Sequence, residues 1–364
     1  MQIQKLNIVN FKNHLNREFV FSKKINCFVG KNGVGKTNIL DAMYYLSFSK
    51  SFINTTDSQN ITLGSDFFSL RGLYIENEIQ EEILLSFDSH KGKTMKRNGK
   101  EYDKISSHIG LLPLIIISPL DIKLLFEGSA ERRKFLDSTL SQFDSSHLSA
   151  LQNYNRALLQ RNKILKTFAG NPTQSVMLEM WNPHLISNGE KLFQNRKNFV
   201  ENFTPEFLKY YEKIAVSNLE KPLLKYSSQL ENEKMEILLQ KNFHRDEILQ
   251  YTSSGVHKDD LIFSIDDLPL KNCGSQGQQK TFLTALKLAQ YSFLKNSGKK
   301  PILLLDDIFD KLDSHRVSSI LDLIQHDSGF GQIFITHTKG DDITKMLQSF
   351  TDDFEIFEIS DQIS

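Results

Sequence analysis

The apolar residues of this chain change rhythm twice, and each change marks a different kind of element. Up to residue 117 they come in short runs. Ile3, Leu6, Ile8 and Val9, then Phe19-Val20-Phe21, then Ile25, Cys27, Phe28 and Val29 read as three strands, with a turn at Asn10-Phe11-Lys12-Asn13. Ile39, Leu40, Met43 and Leu46 recur at helical spacing. Strand-like runs return at Phe67 to Leu70 and Ile79 to Phe87. A hairpin follows, Lys93 to Arg97 and Lys100 to Tyr102 around Asn98-Gly99, the pair a type I′ turn favours. Leu111 to Ile117 is a further strand.

Ser118-Pro119 then supplies an N-cap and a first-turn proline for a helix that stops near Gly128, and helical periodicity dominates from there to about Leu249. Leu151, Tyr154, Leu158, Leu165 and Phe168 follow a seven-residue rhythm that Arg161 breaks. After a break at Gly170-Asn171-Pro172, Met177, Trp181, Leu185, Leu192 and Phe199 make a second stripe. Two long helices joined this way predict an antiparallel helical arm.

Strand character resumes at Leu261 to Ile265, with a turn at Asp266-Asp267 before Leu268 to Leu270. Gly274 to Gln279 opens a helix with Phe282, Leu286, Ala289 and Phe293 on one face. Ile302-Leu303-Leu304-Leu305 reads as a strand buried on both faces of a parallel sheet, and it ends in Asp306-Asp307. A helix through Ile320 and Ile324 leads to a last strand, Gln332 to His337. The pattern predicts an α/β protein in three stretches: 1–117 and 253–364 form one domain, and 118–252 is a helical arm inserted into it.

Candidate chemistry sits at the ends of these strands. Gly30-Lys31-Asn32-Gly33-Val34-Gly35-Lys36-Thr37 fits the phosphate-loop pattern G-x-x-x-x-G-K-[ST], between a strand and a helix. Glycines let successive backbone N–H groups face phosphate oxygens, and the helix N-terminus adds partial positive charge. Lys36 would reach the β- and γ-phosphates of ATP or GTP, and the Thr37 hydroxyl would hold Mg²⁺. Asp306 would hold Mg²⁺ through water, and Asp307 would orient and deprotonate an attacking water.

Ser275-Gln276-Gly277 is a small polar turn at a second helix N-terminus. It reads as an ordinary cap, or as a second anion cradle. Since one loop already holds the phosphates, the second makes sense facing the γ-phosphate of another copy, in a two-fold homodimer that sandwiches two ATP molecules. Lys311-Leu312-Asp313 would lie near that seam, and His337 would contact the γ-phosphate.

Lys and Arg number 44, and so do Asp and Glu, so any affinity for nucleic acid must come from local patches. Cys27 and Cys273 are the only cysteines and show no metal spacing, which fits a reducing, cytoplasmic compartment. The N-terminus reads as a strand rather than a leader, and no apolar run is long enough to span a membrane.

The order of phosphate loop, S-x-G turn, aliphatic strand with two acids, Leu-Asp and strand-end His resembles the P-loop ABC-type ATPase head, a mixed sheet with flanking helices. The S-x-G turn lies about 240 residues past Lys36 because the arm intervenes. More closely, the chain resembles the RecF family of DNA replication and repair proteins. The stretches that carry this are Leu6 to Asn13, Gly30 to Tyr44, Ser118 to Asp121, Arg132 to Asp137, Tyr154 to Leu165, Gly255 to Asp260, Gly274 to Gln290 and Leu303 to Asp313. Val256 and Lys258 stand where the family usually has Pro and Arg, and Ile53 replaces a usual basic residue.

The resemblance implies a weak, DNA-stimulated ATPase whose ATP-bound dimer closes on DNA at single-strand/double-strand junctions. With RecR and RecO it would help load RecA onto gaps coated by single-strand binding protein. Candidates for phosphate contact are Lys93, Lys96 and Arg97 in a hairpin that also carries Lys91 and Lys100, Arg132 and Arg133, and Arg156 and Arg161 on the arm. Two rivals share the head: a DNA-organising ATPase like SMC or Rad50, whose coiled coil of several hundred residues exceeds an insertion of about 130, and a transport-type ABC ATPase subunit.

Overall fold

The computed structural model describes the chain apart from residues 77, 168–171, 216–218, 309–322, 324–329, 349–350, 352 and 361–364. It divides into two compact units, one of residues 1–121 with 284–364, the other of residues 122–283.

The first unit opens with β1 (Gln2–Phe11), β2 (His14–Val20) and β3 (Ile25–Val29), followed by α1 (Lys36–Phe48). Then come β4 (Phe67–Glu76), β5 (Ile79–Asp88), β6 (Gly92–Arg97), β7 (Lys100–Glu101) and β8 (Leu114–Ile117). Six of these strands form an antiparallel sheet in the order β2-β1-β4-β5-β6-β7. Alternating burial along β4 is what a sheet with one wet face requires. The Asn98-Gly99 turn forms as expected, both residues at positive φ and Arg97 opposite Lys100. The expected strand at Leu111 starts only at Leu114, after Pro113.

The first stretch of the first unit ends in a 3-10 turn capped by Ser118, whose Oγ accepts from the Leu120 N–H at 3.2 Å, and the second unit starts at Ile122. Into it follow α2 (Lys123–Phe126), α3 (Ser129–Ser141), α4 (Ser145–Thr167) and α5 (Pro172–Ile214). Helices α4 and α5 pack together along the two predicted stripes, with Tyr154, Leu185 and Leu192 in one buried cluster. The break at Gly170-Asn171 lies outside the described residues.

The unit is not wholly helical. β9 (Pro222–Ser227) precedes α6 (Met235–Lys241) and α7 (Phe243–Leu249). β10 (Asp260–Ile265) and β11 (Leu268–Pro269) follow, then α8 (Leu270–Cys273) and the start of α9 (Gln276–Asn296), whose residues from Thr284 on are counted with the first unit. The three strands make a sheet in the order β11-β10-β9. Because β10 pairs with β9 along six residues, the stretch after 252 belongs with the arm, and the division falls at 283 rather than at 252.

The first unit is completed by β12 (Ile302–Leu305), β13 (Ile333–His337), α10 (Gly340–Gln348) and β14 (Phe354–Glu358). With β3 and β8 they form a parallel sheet in the order β14-β3-β13-β12-β8. Every residue of β3, β8, β12 and β13 is buried, as four consecutive aliphatics in β12 lead one to expect. Phe28, Ile39, Leu40, Met43, Leu304 and Phe334 share one core with Leu6, Phe11 and Phe68 of the antiparallel sheet. Truncating a fully buried ring such as Phe28 to Ala would cost roughly 3–5 kcal/mol. The expected helix through Ile320 and Ile324 falls in a stretch outside the described residues. Among the described residues no helix is long and apolar enough to cross a membrane.

Candidate nucleotide site

The parallel order puts β13 between β3 and β12, with His337 opposite Val29 and Ile335 opposite Leu305. The loop after β3, the acids after β12 and the end of β13 therefore meet at the carboxyl edge of one sheet, where open α/β sheets bind ligands.

Residues 30–35 curl between β3 and α1 with Gly30, Gly33 and Gly35 all at positive φ. At Gly30 a Cβ would stand 2.3 Å from the Ile359 carbonyl oxygen. At Gly35 it would stand 2.5 Å from the Asn13 side chain and 2.7 Å from His14 Nε2, so only glycine fits either place. Lys31, Asn32 and Gly33 are exposed, whereas Val34, Gly35 and Lys36 are buried. The Lys36 ammonium folds back over the loop and donates to the carbonyls of Gly30 at 2.8 Å and Lys31 at 2.9 Å.

Asp306 and Thr37 meet directly: the Thr37 hydroxyl donates to Asp306 Oδ1 at 2.9 Å, and the Thr336 hydroxyl donates to the same oxygen at 2.9 Å. Burial raises the Asp306 carboxyl above its ordinary range, the two hydroxyls pull it down, and the neighbouring Asp307 charge pushes it up again. Asp307 has a left-handed backbone, φ 52°, and its N–H donates to Thr336 Oγ1 at 2.9 Å. Its buried Oδ1 has no hydrogen-bond partner among the described residues. Among the described residues no cluster of three or more His, Cys, Asp or Glu could cage a metal. The oxygen donors that the fold offers a cation here are Thr37 and Asp306.

His337 is buried, its carbonyl accepts from the Gly30 N–H at 3.3 Å, and its Nδ1 accepts from the Lys339 N–H at 2.9 Å. Ser275 belongs to the second unit. It caps α9 reciprocally: its Oγ accepts from the Gln278 N–H at 3.2 Å, and its N–H donates to Gln278 Oε1 at 2.8 Å. Both Ser275 and Gln276 are exposed, and Gly277 is half-buried. Lys311, Leu312 and Asp313 lie outside the described residues.

Several basic candidates turn out to be committed inside the protein. Arg161 is fully buried, pairs with Asp246 at 2.8 Å and donates to Thr252 and Asn182, so it cannot reach a nucleic-acid phosphate. Arg132 grips Asp260 with two hydrogen bonds of 2.6 and 2.9 Å, and Arg133 donates to Ser129 and to the Asp259 carbonyl. Lys93 lies 2.9 Å from Asp57 and donates to the Ser49 carbonyl, while Arg97 forms a fork with Glu81. Lys96 is half-buried and Arg156 exposed, and among the described residues neither forms an ion pair.

Sequence reasoning missed two groups at the site. His14 Nε2 lies 3.0 Å from the Gly35 carbonyl oxygen, and Asn38 donates to Asn13, so the β1–β2 turn props the end of the loop. Thr336 links both acids. No periodicity marks either group, because their partners are remote in sequence.

Comparison with known proteins agrees with this layout. A family model described as "AAA domain, putative AbiEii toxin, Type IV TA system" matches residues 25–336. The chain is 47% identical over 361 residues to the DNA replication and repair protein RecF of Flavobacterium johnsoniae, covering 99% of this chain and 100% of that one. It is 48% identical over 360 residues to the RecF of Parabacteroides distasonis, covering 99% and 97%. A solved structure of the recombination mediator protein RecF with ATP, in the RecFOR pathway, superposes with a TM-score of 0.87 at 29% identity, covering 100% of this chain and 96% of the other. An Smc head domain of Pyrococcus furiosus shares the fold alone, with a TM-score of 0.59 at 17% identity over 99% and 94%. By its near-complete overlap with the curated relatives, this chain belongs to the RecF family of DNA replication and repair proteins.

Proposed function

We propose that the chain is an ATP-driven DNA clamp of recombinational repair and replication maintenance. The observation that carries the reading is the Thr37–Asp306 hydrogen bond, which ties the phosphate loop to an acid whose carboxyl burial pushes up. A hydroxyl beside a buried carboxylate suits a hard cation that keeps waters and phosphate oxygens as its other ligands, as Mg²⁺ does. Thr37 and Asp306 would hold it, and bound there it would neutralise charge on the β- and γ-phosphates. The backbone of residues 30–35 and Lys36 would cradle the triphosphate.

In hydrolysis the oxygen of a water attacks the γ-phosphorus, the bond to the β–γ bridging oxygen breaks, and ADP leaves. Asp307 Oδ1, buried with no partner among the described residues, is the acceptor for that water's proton. His337 would contact the γ-phosphate. In the closed state, Ser275 and Gly277 of each copy face the γ-phosphate held by the other, so ATP favours the dimer by binding it better than the monomer. Hydrolysis removes that preference and the clamp opens. DNA contact falls to cations that form no ion pair among the described residues, Lys96 and Arg156 with Lys91 and Lys100, through phosphates and without base reading. RecR and RecO are the partners through which such a clamp would help load RecA.

A gel shift on gapped duplex at two salt concentrations, with and without a non-hydrolysable ATP analogue, tests the reading. Binding should require nucleotide and weaken steeply with salt. Sedimentation under the same conditions should show a dimer, which Ser275→Arg reduces to monomers that still bind nucleotide. Salt-insensitive or nucleotide-independent binding would contradict it.

A further inference from the structure

We propose that Thr336 is a positioning residue for hydrolysis: its single hydroxyl sets the orientation of Asp306 and the backbone conformation of Asp307 together. The inference rests on the roles given to those two acids above. Thr336 is fully buried at the end of β13, on the strand next to the one that carries both acids. A hydroxyl has one proton and two lone pairs. Here the proton goes to Asp306 Oδ1, and a lone pair accepts the Asp307 N–H, each at 2.9 Å.

Two facts make this more than a core hydrogen bond. Asp307 is held in the left-handed region, which a side-chain-bearing residue keeps only where the surroundings impose it. In that turn the Asp307 N–H donates to the Thr336 hydroxyl. Moreover, Asp306 Oδ1 is shared between Thr37 and Thr336. When Thr37 turns its lone pairs toward a ligand, Thr336 still pins that oxygen. Removing the hydroxyl releases the Asp307 N–H and leaves Asp306 Oδ1 to Thr37 alone, with no residue of the phosphate loop changed.

The test is a set of three variants in the full chain. Thr336→Val keeps the shape and loses the hydroxyl, Thr336→Ala loses the hydroxyl without adding a methyl, and Thr336→Ser keeps it. Val and Ala should lower kcat by roughly 10- to 100-fold, the usual effect of removing a group that orients a functional residue. Affinity for a non-hydrolysable ATP analogue should stay within about twofold, and Ser should restore kcat. If Val fails to fold, Ala against Ser still decides the matter. Wild-type kcat in the hydroxyl-less variants, or a Ser variant as slow as they are, overturns the inference. So does a fall in nucleotide affinity that matches the fall in kcat. Asp307→Asn, run in parallel, separates the two claims. If it hydrolyses at the wild-type rate the assignment of the base fails; if it is slow while Thr336→Ala is not, only the role of Thr336 fails.

Discussion

Both units bury a carboxylate at a junction of elements, and the two acids titrate in opposite directions. In the second unit Asp137 takes two hydrogen bonds from Arg196, at 2.9 and 2.8 Å, and lies 3.1 Å from His147 Nε2. Burial alone would raise this carboxyl, but the Arg196 charge and the bonds from His147 and Arg196 outweigh it and hold it below the ordinary range. The same guanidinium also reaches Asp259 and the Val256 carbonyl. In the first unit Asp306 takes its hydrogen bonds from two hydroxyls; these and the Lys36 charge pull the carboxyl down, but burial, helped by the Asp307 charge, wins. Asp137 is answered by a cation that pairs with it directly, whereas among the described residues no cation forms an ion pair with Asp306, which leaves that place to a ligand. One arrangement holds a fold together; the other is poised for chemistry.

The largest test of this contrast is catalytic. Asp307→Asn keeps the shape of the site and removes the proton acceptor, so hydrolysis should slow by about 10²–10⁴-fold. An ATP-dependent dimer should then persist under sedimentation. Hydrolysis at the wild-type rate would remove Asp307 from the mechanism.

The next test applies one substitution to both acids. Asp137→Asn strips the bidentate partner from buried Arg196 and should cost roughly 3 kcal/mol, read by urea unfolding. Asp306→Asn should cost nothing, or raise the stability of the nucleotide-free protein. The sign follows from linkage: a folded pKa above the unfolded one means the ionised form costs stability at neutral pH, so neutralising it removes that cost. Equal losses in both variants would erase the distinction between the units.

The smallest effect concerns a property the units share. Burial pushes His108 in the first unit and His257 in the second down to about 4. His108 faces Tyr102, the Leu46 carbonyl and the Arg97 charge; His257 faces Tyr154, the Thr252 carbonyl, Lys258, Arg133 and Asp246. An unfolded histidine takes its proton near pH 6.5, so each contributes stability above that pH that is lost as pH falls toward 4. Between pH 6.5 and 5 the loss is about 1.5 kcal/mol per histidine. His108→Gln and His257→Gln should each flatten the acid limb of stability by that amount. An unchanged slope in both would mean that neither ring is held neutral.

What was legible in the sequence is what is written locally. The phosphate loop, the aliphatic strand before Asp306 and the Asn98-Gly99 hairpin all depend on neighbours a few residues away, and each element formed where expected. Charge was the poorer guide, because an arginine reads the same whether it meets solvent or a buried aspartate. Arg161 showed its true setting only as a break in the helical rhythm, and the partners of Arg132 and Arg133 lie about 130 residues on. The short β9 was absorbed into a helical region because its six residues gain their meaning from pairing with β10. Thr336 had no signal at all: its role exists only once β12 and β13 lie side by side.

The most direct measurement is calorimetric titration of a non-hydrolysable ATP analogue into the wild-type chain and into Asp306→Asn, each with and without Mg²⁺. If Asp306 is the charge that the head leaves for a cation, Mg²⁺ tightens binding to the wild type and no longer does so in the variant, while their Mg²⁺-free affinities agree. An Asp306→Asn protein whose binding gains as much from Mg²⁺ as the wild type's would contradict the account.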